Sequence, residues 1–107
     1  KIKIMKLVLI TSVNQYKQQV QKTLKNCNIQ NYSFQDVVGH KEISSVADRG
    51  NWFPGDRFES QSITFFAMVP ASIIDTLFEE VERFNNNLES LSRIHVSFLN
   101  IEKTNDL

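Results

Sequence analysis

Residues 62–87 read SITFFAMVPASIIDTLFEEVERFNNN. From Ser62 to Val69 the side chains alternate, with Ile63, Phe65 and Ala67 on one side of an extended chain and Phe66 and Met68 on the other. A run of β-branched and aromatic residues that is apolar on both faces predicts a strand in the middle of a sheet. At Pro70 the period changes. Proline is tolerated in the first turn of a helix, and Ile74, Leu77, Phe78, Val81 and Phe84 then recur at helical spacing as a stripe expected to be buried. Asn85-Asn86-Asn87 ends that helix.

Working outward gives the rest of the fold. Upstream, Met5 to Thr11 (MKLVLIT) is a second strand with two apolar faces, Leu7 and Leu9 on one and Val8 and Ile10 on the other. Ser12-Val13-Asn14-Gln15 has the form of a capping box. Tyr16, Val20, Leu24 and Cys27 then make the stripe of an amphipathic helix ending near Asn26 to Asn28. From Asn31 to Val38 the period returns to two, with Tyr32, Phe34 and Asp36 on one side, and Gly39 closes the strand. Downstream, Arg93 to Ile101 is a last strand with Ile94, Val96 and Phe98 alternating against His95, Ser97 and Leu99, and Glu102 to Leu107 is a frayed tail. The order β-α-β-loop-β-α-β predicts a ferredoxin-like α+β sandwich. It has a four-stranded antiparallel-type sheet, strands one and three adjacent and parallel, both helices on one face, and a long loop between strands two and three.

The chain of 107 residues, 41% hydrophobic, has room for one domain and one core. Its 12 basic and 12 acidic side chains leave no net field to draw it to nucleic acid, a membrane surface or an acidic substrate. Cys27 is the lone cysteine, so no internal disulfide forms, and no apolar run approaches the roughly 20 residues that span a bilayer. A cytoplasmic setting is expected. Lys1-Ile2-Lys3-Ile4 is too weak a lead for a signal peptide, and Met5 is expected to be the natural start, residues 1–4 being a foreign extension.

Two helices cover one face of a sheet. Side chains such as Val8, Ile10, Phe66, Met68 and Leu99 would leave an exposed patch larger than a soluble monomer tolerates, so self-association through the sheet is expected. The long loop folded back over that face, with Trp52 and Phe53 as its lid, is the alternative cover.

Residues 39–61 show no period and hold all three glycines, the only tryptophan and Pro54. A loop of that length in a small domain is functional or disordered. Arg49 and Arg57 offer guanidinium forks for phosphate or carboxylate, each beside an acid, Asp48 and Asp56. Trp52 and Phe53, between Gly50 and Gly55, are candidates for docking on a partner or stacking on a base. His40 and Glu42 stand two apart around Lys41, short of the three or four ligands a metal needs. His95 sits among apolar neighbours on the last strand, and Cys27 on the first helix reads as a small core hydrophobe. No catalytic motif is present at recognisable spacing, and a binding protein is expected rather than an enzyme.

Asp36-Val37-Val38-Gly39-His40 resembles the end of the second strand in the PII-like family of trimeric signalling proteins, where the mobile T-loop begins. Lys6 to Ile10, Phe65 to Pro70 and Ile94 to Lys103 are similar to the family's first, third and last strands. The resemblance implies a homotrimer that binds a small effector, an adenine nucleotide or another anion, between subunits and modulates a membrane transporter or an enzyme through the loop. It implies effector contacts at Gly39, His40, Lys41, Arg57, Arg93 and His95, and partner contacts at Arg49, Trp52 and Phe53. The family's glycine-rich phosphate loop before the last strand is replaced here by residues 85–93, NNNLESLSR, with no glycine. The CutA branch of the same fold, to which Asn51-Trp52-Phe53 is similar, implies instead a divalent metal held by His40, Glu42, Glu59 and His95 across a subunit boundary.

Overall fold

The computed structural model of the chain describes residues 4–40, 59–88 and 92–105. β1 (Met5–Val13) passes through a 3-10 turn (Asn14–Tyr16) into α1 (Lys17–Asn26). β2 (Ser33–His40) and β3 (Glu59–Pro70) follow, then a second 3-10 turn (Ala71–Ile73), α2 (Ile74–Asn86) and β4 (His95–Asn100). The strands lie in the order β2-β3-β1-β4, and every neighbouring pair is antiparallel. This is the ferredoxin-like βαββαβ arrangement. One expectation is corrected: β1 and β3 are adjacent but antiparallel, Met5 lying opposite Pro70 and Val13 opposite Ser62. The hairpin from β2 to β3 reverses the chain, while the α1 crossover returns β2 in the direction of β1. A strand between the two must therefore oppose both.

Alternation sorts the side chains of the sheet into two faces. Val8 and Ile10 of β1 with Ile63, Phe65, Ala67 and Val69 of β3 join Val20 and Leu24 of α1 and Leu77 and Val81 of α2 in one buried cluster. Val96 and Phe98 of β4 pack against it. Both helices thus cover one face. Val8 and Ile10 belong to that covered face and not to the exposed patch expected from the sequence; the open face carries Leu7 and Leu9 in their place. Phe78 is likewise corrected. It is 39% exposed and lies on the rim of the core, its ring 5.4 Å from that of Phe98. The apolar stripe on α2 is wider than the surface the sheet offers it.

The capping box does not form. Ser12 is buried within β1, its hydroxyl donates to the carbonyl of Val13 at 3.0 Å, and the helix is entered through the 3-10 turn without a side-chain cap. At its other end α1 closes as a Schellman motif, with Asn28 at φ 62°, Asn28 N–H donating to Lys25 and Ile29 N–H to Leu24. The C″ and C3 residues of that motif, Ile29 and Leu24, are both in the core. Strands β2 and β3 run further than expected. Gly39 pairs with Ser60 and His40 with Glu59, so Gly39 lies inside β2 and the segment between the strands is 41–58.

Candidate functional site on the open face of the sheet

The register divides the open face into two halves. At one end Leu99, Leu7 and Met68 stand side by side across three strands, followed by the row Ser97, Leu9, Phe66 and Ser33. Met68 is 40% and Leu99 42% exposed, large apolar side chains that no helix covers. β3 outruns β2 here, Phe66 being its last residue opposite β2, and the connection from α1 to β2 lies beside the unpaired stretch. Between them is a depression of about 460 Å³ lined by Leu7, Phe66, Met68 and Tyr32 with the amides of Gln30 and Asn31. Leu7, Phe66 and Met68 give apolar patches within a lining that is mainly polar and open to solvent, and the volume falls in the range of about 300 to 1,000 Å³ for small-molecule sites.

Toward the other end the face turns polar. The row is His95, Thr11, Thr64 and Gln35, and the hydroxyls of Thr11 and Thr64 lie 3.3 Å apart. Thr11 and Ser62 are buried. His95 is half-buried, and burial pushes its imidazole below the ordinary 6.5, so near neutral pH it offers one donor and one acceptor rather than a charge. Just before β4, Asn85 at the end of α2 grips the backbone of Ile94: its amide donates to the Ile94 carbonyl and its carbonyl accepts from the Ile94 N–H, both at 2.9 Å. That clamp sets the entry of β4, and with it the positions of Arg93 and His95.

No family model and no curated protein matches the sequence. Solved structures do match the fold along nearly the whole chain. CPII of Thiomonas intermedia, a nitrogen regulatory PII-like protein solved with ADP, AMP and bicarbonate, superposes with a TM-score of 0.62 over 94% of both chains at 15% identity. The chain has the PII-like fold. GlnK of B. subtilis, solved with ATP, matches at a TM-score of 0.58 and 14% identity over 90% of this chain and 82% of its own. A DUF3240 family protein from Shewanella baltica matches at 0.67 and 13% over 99% of both.

Of the six effector residues expected from the sequence, four, Gly39, His40, Arg93 and His95, are among the described residues. Gly39 is buried and His40 exposed at the far end of β2, while Arg93 is half-buried ahead of β4 and His95 opens that strand. These positions share one end of the sheet because β2 ends and β4 begins there. They do not share a site within one chain. His40 lies five residues beyond the His95 row and three strands across from it, which places the two about 20 Å apart. Among the described residues no three His, Cys, Asp or Glu side chains come together, so one chain does not assemble the metal set of His40, Glu42, Glu59 and His95. Lys41, Glu42, Arg49, Trp52, Phe53 and Arg57, and the side chain of Glu59, lie outside the described residues. The depression with Tyr32, Phe66 and Met68, and the Asn85 clamp, are absent from the residues expected from the sequence. Only the unequal lengths of β2 and β3 signal the first. The second was hidden in asparagines that read as a helix terminator.

Proposed function

We propose that this chain is a small regulatory protein of the PII-like kind. On this reading it acts in the cytoplasm as a homotrimer, without catalytic activity of its own. It binds an adenine nucleotide or another small anion in clefts between copies and modulates a transporter or enzyme through residues 39–61, with Arg49, Trp52 and Phe53 as partner contacts. The observation that carries this reading is the correspondence over 94% of both chains with CPII, a protein solved with ADP, AMP and bicarbonate. The uncovered apolar half of the open face supports self-association, since a patch of this kind is a contact surface in a soluble protein. A site between copies can unite the depression of one chain with His95 or Arg93 of another, which a single chain keeps apart.

On this reading a nucleobase would rest on Phe66 and Met68, with Gln30, Asn31 and Tyr32 bordering it. Backbone amides cradle a triphosphate where glycine permits close approach, and residues 85–93 contain no glycine. AMP, ADP or bicarbonate therefore fits this chain better than ATP. Thermal shift with each of the four tests the reading: AMP or ADP at about a hundred times its Kd should add about 2.7 kcal/mol of stability. Tyr32→Ala should abolish the shift. No response to any of the four would overturn the effector part of the proposal.

A further inference from the structure

The balance of 12 basic and 12 acidic side chains conceals a strong asymmetry. The first 35 residues hold six lysines and no acidic residue, and all 12 acids follow from Asp36 onward. Between α1 and the connection that leads to β2 lies a groove of about 610 Å³. One wall is Gln21, Lys22 and Lys25 of α1, and the other is Ile29, Gln30 and Tyr32 of the connection. Lys22 and Lys25 stand three apart on the helix, which sets them side by side on one face. Ile29 is buried, and the Tyr32 ring packs 5.9 Å from that of Phe65 in the core, so the lining between the charged ends is mainly apolar.

Every polar side chain around this groove can donate a hydrogen bond and none is a carboxylate: two ammonium groups, two primary amides and a phenol. Among the described residues none of the five side chains is engaged in a hydrogen bond or an ion pair. The carbonyls at the end of α1 do not occupy the lysines either. Those of Thr23, Leu24 and Lys25 accept from the N–H groups of Cys27, Ile29 and Asn28.

We infer that this groove is a binding site for a small phosphate monoester with an apolar or aromatic body. Near neutral pH such a phosphate carries close to two negative charges on three terminal oxygens, which matches two lysines with neutral donors beside them. A single carboxylate would leave one ammonium without a counter-charge. The body of the ester lies along Ile29, the Tyr32 ring and the aliphatic stems of the lysines. The inference stands apart from the effector reading. Gln21, Lys22 and Lys25 line the groove and not the depression, Leu7, Phe66 and Met68 line the depression and not the groove, and Gln30 and Tyr32 border both.

The test uses the full chain and phenyl phosphate, beside inorganic phosphate, benzoate, and phosphatidylcholine vesicles containing phosphatidic acid. Phenyl phosphate should move the NMR amide signals of residues 21–32 and leave those of Leu7 and residues 66–68 in place. It should bind more weakly as salt rises from about 50 mM to about 500 mM. Lys22→Ala together with Lys25→Ala should weaken binding by about tenfold or more while leaving the circular dichroism spectrum unchanged, since both side chains are exposed. Lys103→Ala, on the tail beyond the opposite edge strand, should bind as the parent does. Lys→Gln at positions 22 and 25 serves if the alanine chain fails to fold. Four results would overturn the inference: signals that move at the depression instead, a double variant that binds as before, benzoate or inorganic phosphate binding as well as phenyl phosphate, or no response to phenyl phosphate. In the last case retention on the vesicles would make the groove a membrane contact, and a response to AMP confined to the depression would leave the effector reading standing alone.

Discussion

Phe65 and Phe78 are neighbours in the sequence pattern and unlike in the structure. Phe65 is 1% exposed beneath both helices' cluster, so Phe65→Ala should cost about 3 to 5 kcal/mol in urea unfolding. Phe78 keeps much of its ring in water and should cost only about 1 kcal/mol. The contrast explains what alternation and periodicity can reveal. Ile63, Phe65 and Ala67 were legible as one face of a strand, but a strand apolar on both sides carries no signal saying which face the helices will take. For that reason Val8 and Ile10 could be separated from Leu7 and Leu9 without being assigned to the core. His95 supplies a pH dependence with a definite sign. Burial lowers its pKa, so the unfolded chain binds the proton more readily, and the contribution of His95 to stability falls as pH drops through 6.5 toward its lower folded value. Urea midpoints measured from neutral to mildly acid pH should fall less steeply in His95→Gln than in the parent.

At the scale of elements, the two helix ends behave differently because only one is free to choose its geometry. Ser12-x-x-Gln15 matches a capping box in letters, yet Ser12 is committed to β1 opposite Ile63 and its hydroxyl bonds the adjacent carbonyl. Asn28 has no such commitment and takes the left-handed conformation that closes α1. Asn85 does more than end α2. Replacing it by alanine removes both bonds to Ile94 and leaves a part-buried N–H and C=O short of partners, for a cost of about 2 kcal/mol. Amide exchange should accelerate at the start of β4 while α1 stays protected. Uniform acceleration across the chain would show that the clamp merely adds to global stability. Gly39 read as a strand breaker, but pairing with Ser60 carries β2 through it to His40. Residues whose partners lie on a distant strand take their conformation from that pairing, and local sequence does not display it.

Across the whole molecule, topology decides what the side chains can do together. A βαββαβ chain places both helices on one face and leaves the other to whatever assembles on it. Here that face is apolar over Leu7, Leu9, Phe66, Met68 and Leu99 and polar around Thr11, Thr64 and His95. The fold was legible in the order of elements. Of the residues expected to bind an effector, the described ones, Gly39, His40, Arg93 and His95, lie toward one end of the sheet, on or just ahead of its two outer strands. Met68→Glu places a charge in the middle of the exposed apolar half and should convert the assembly to monomer with little loss of helix or sheet content, as judged by sedimentation and circular dichroism. The most direct measurement is sedimentation velocity of the parent chain at micromolar concentration. A trimer is the expected result, with the apolar half of the open face buried between copies. A stable monomer would contradict the account, because the face that the helices leave bare would then need no partner.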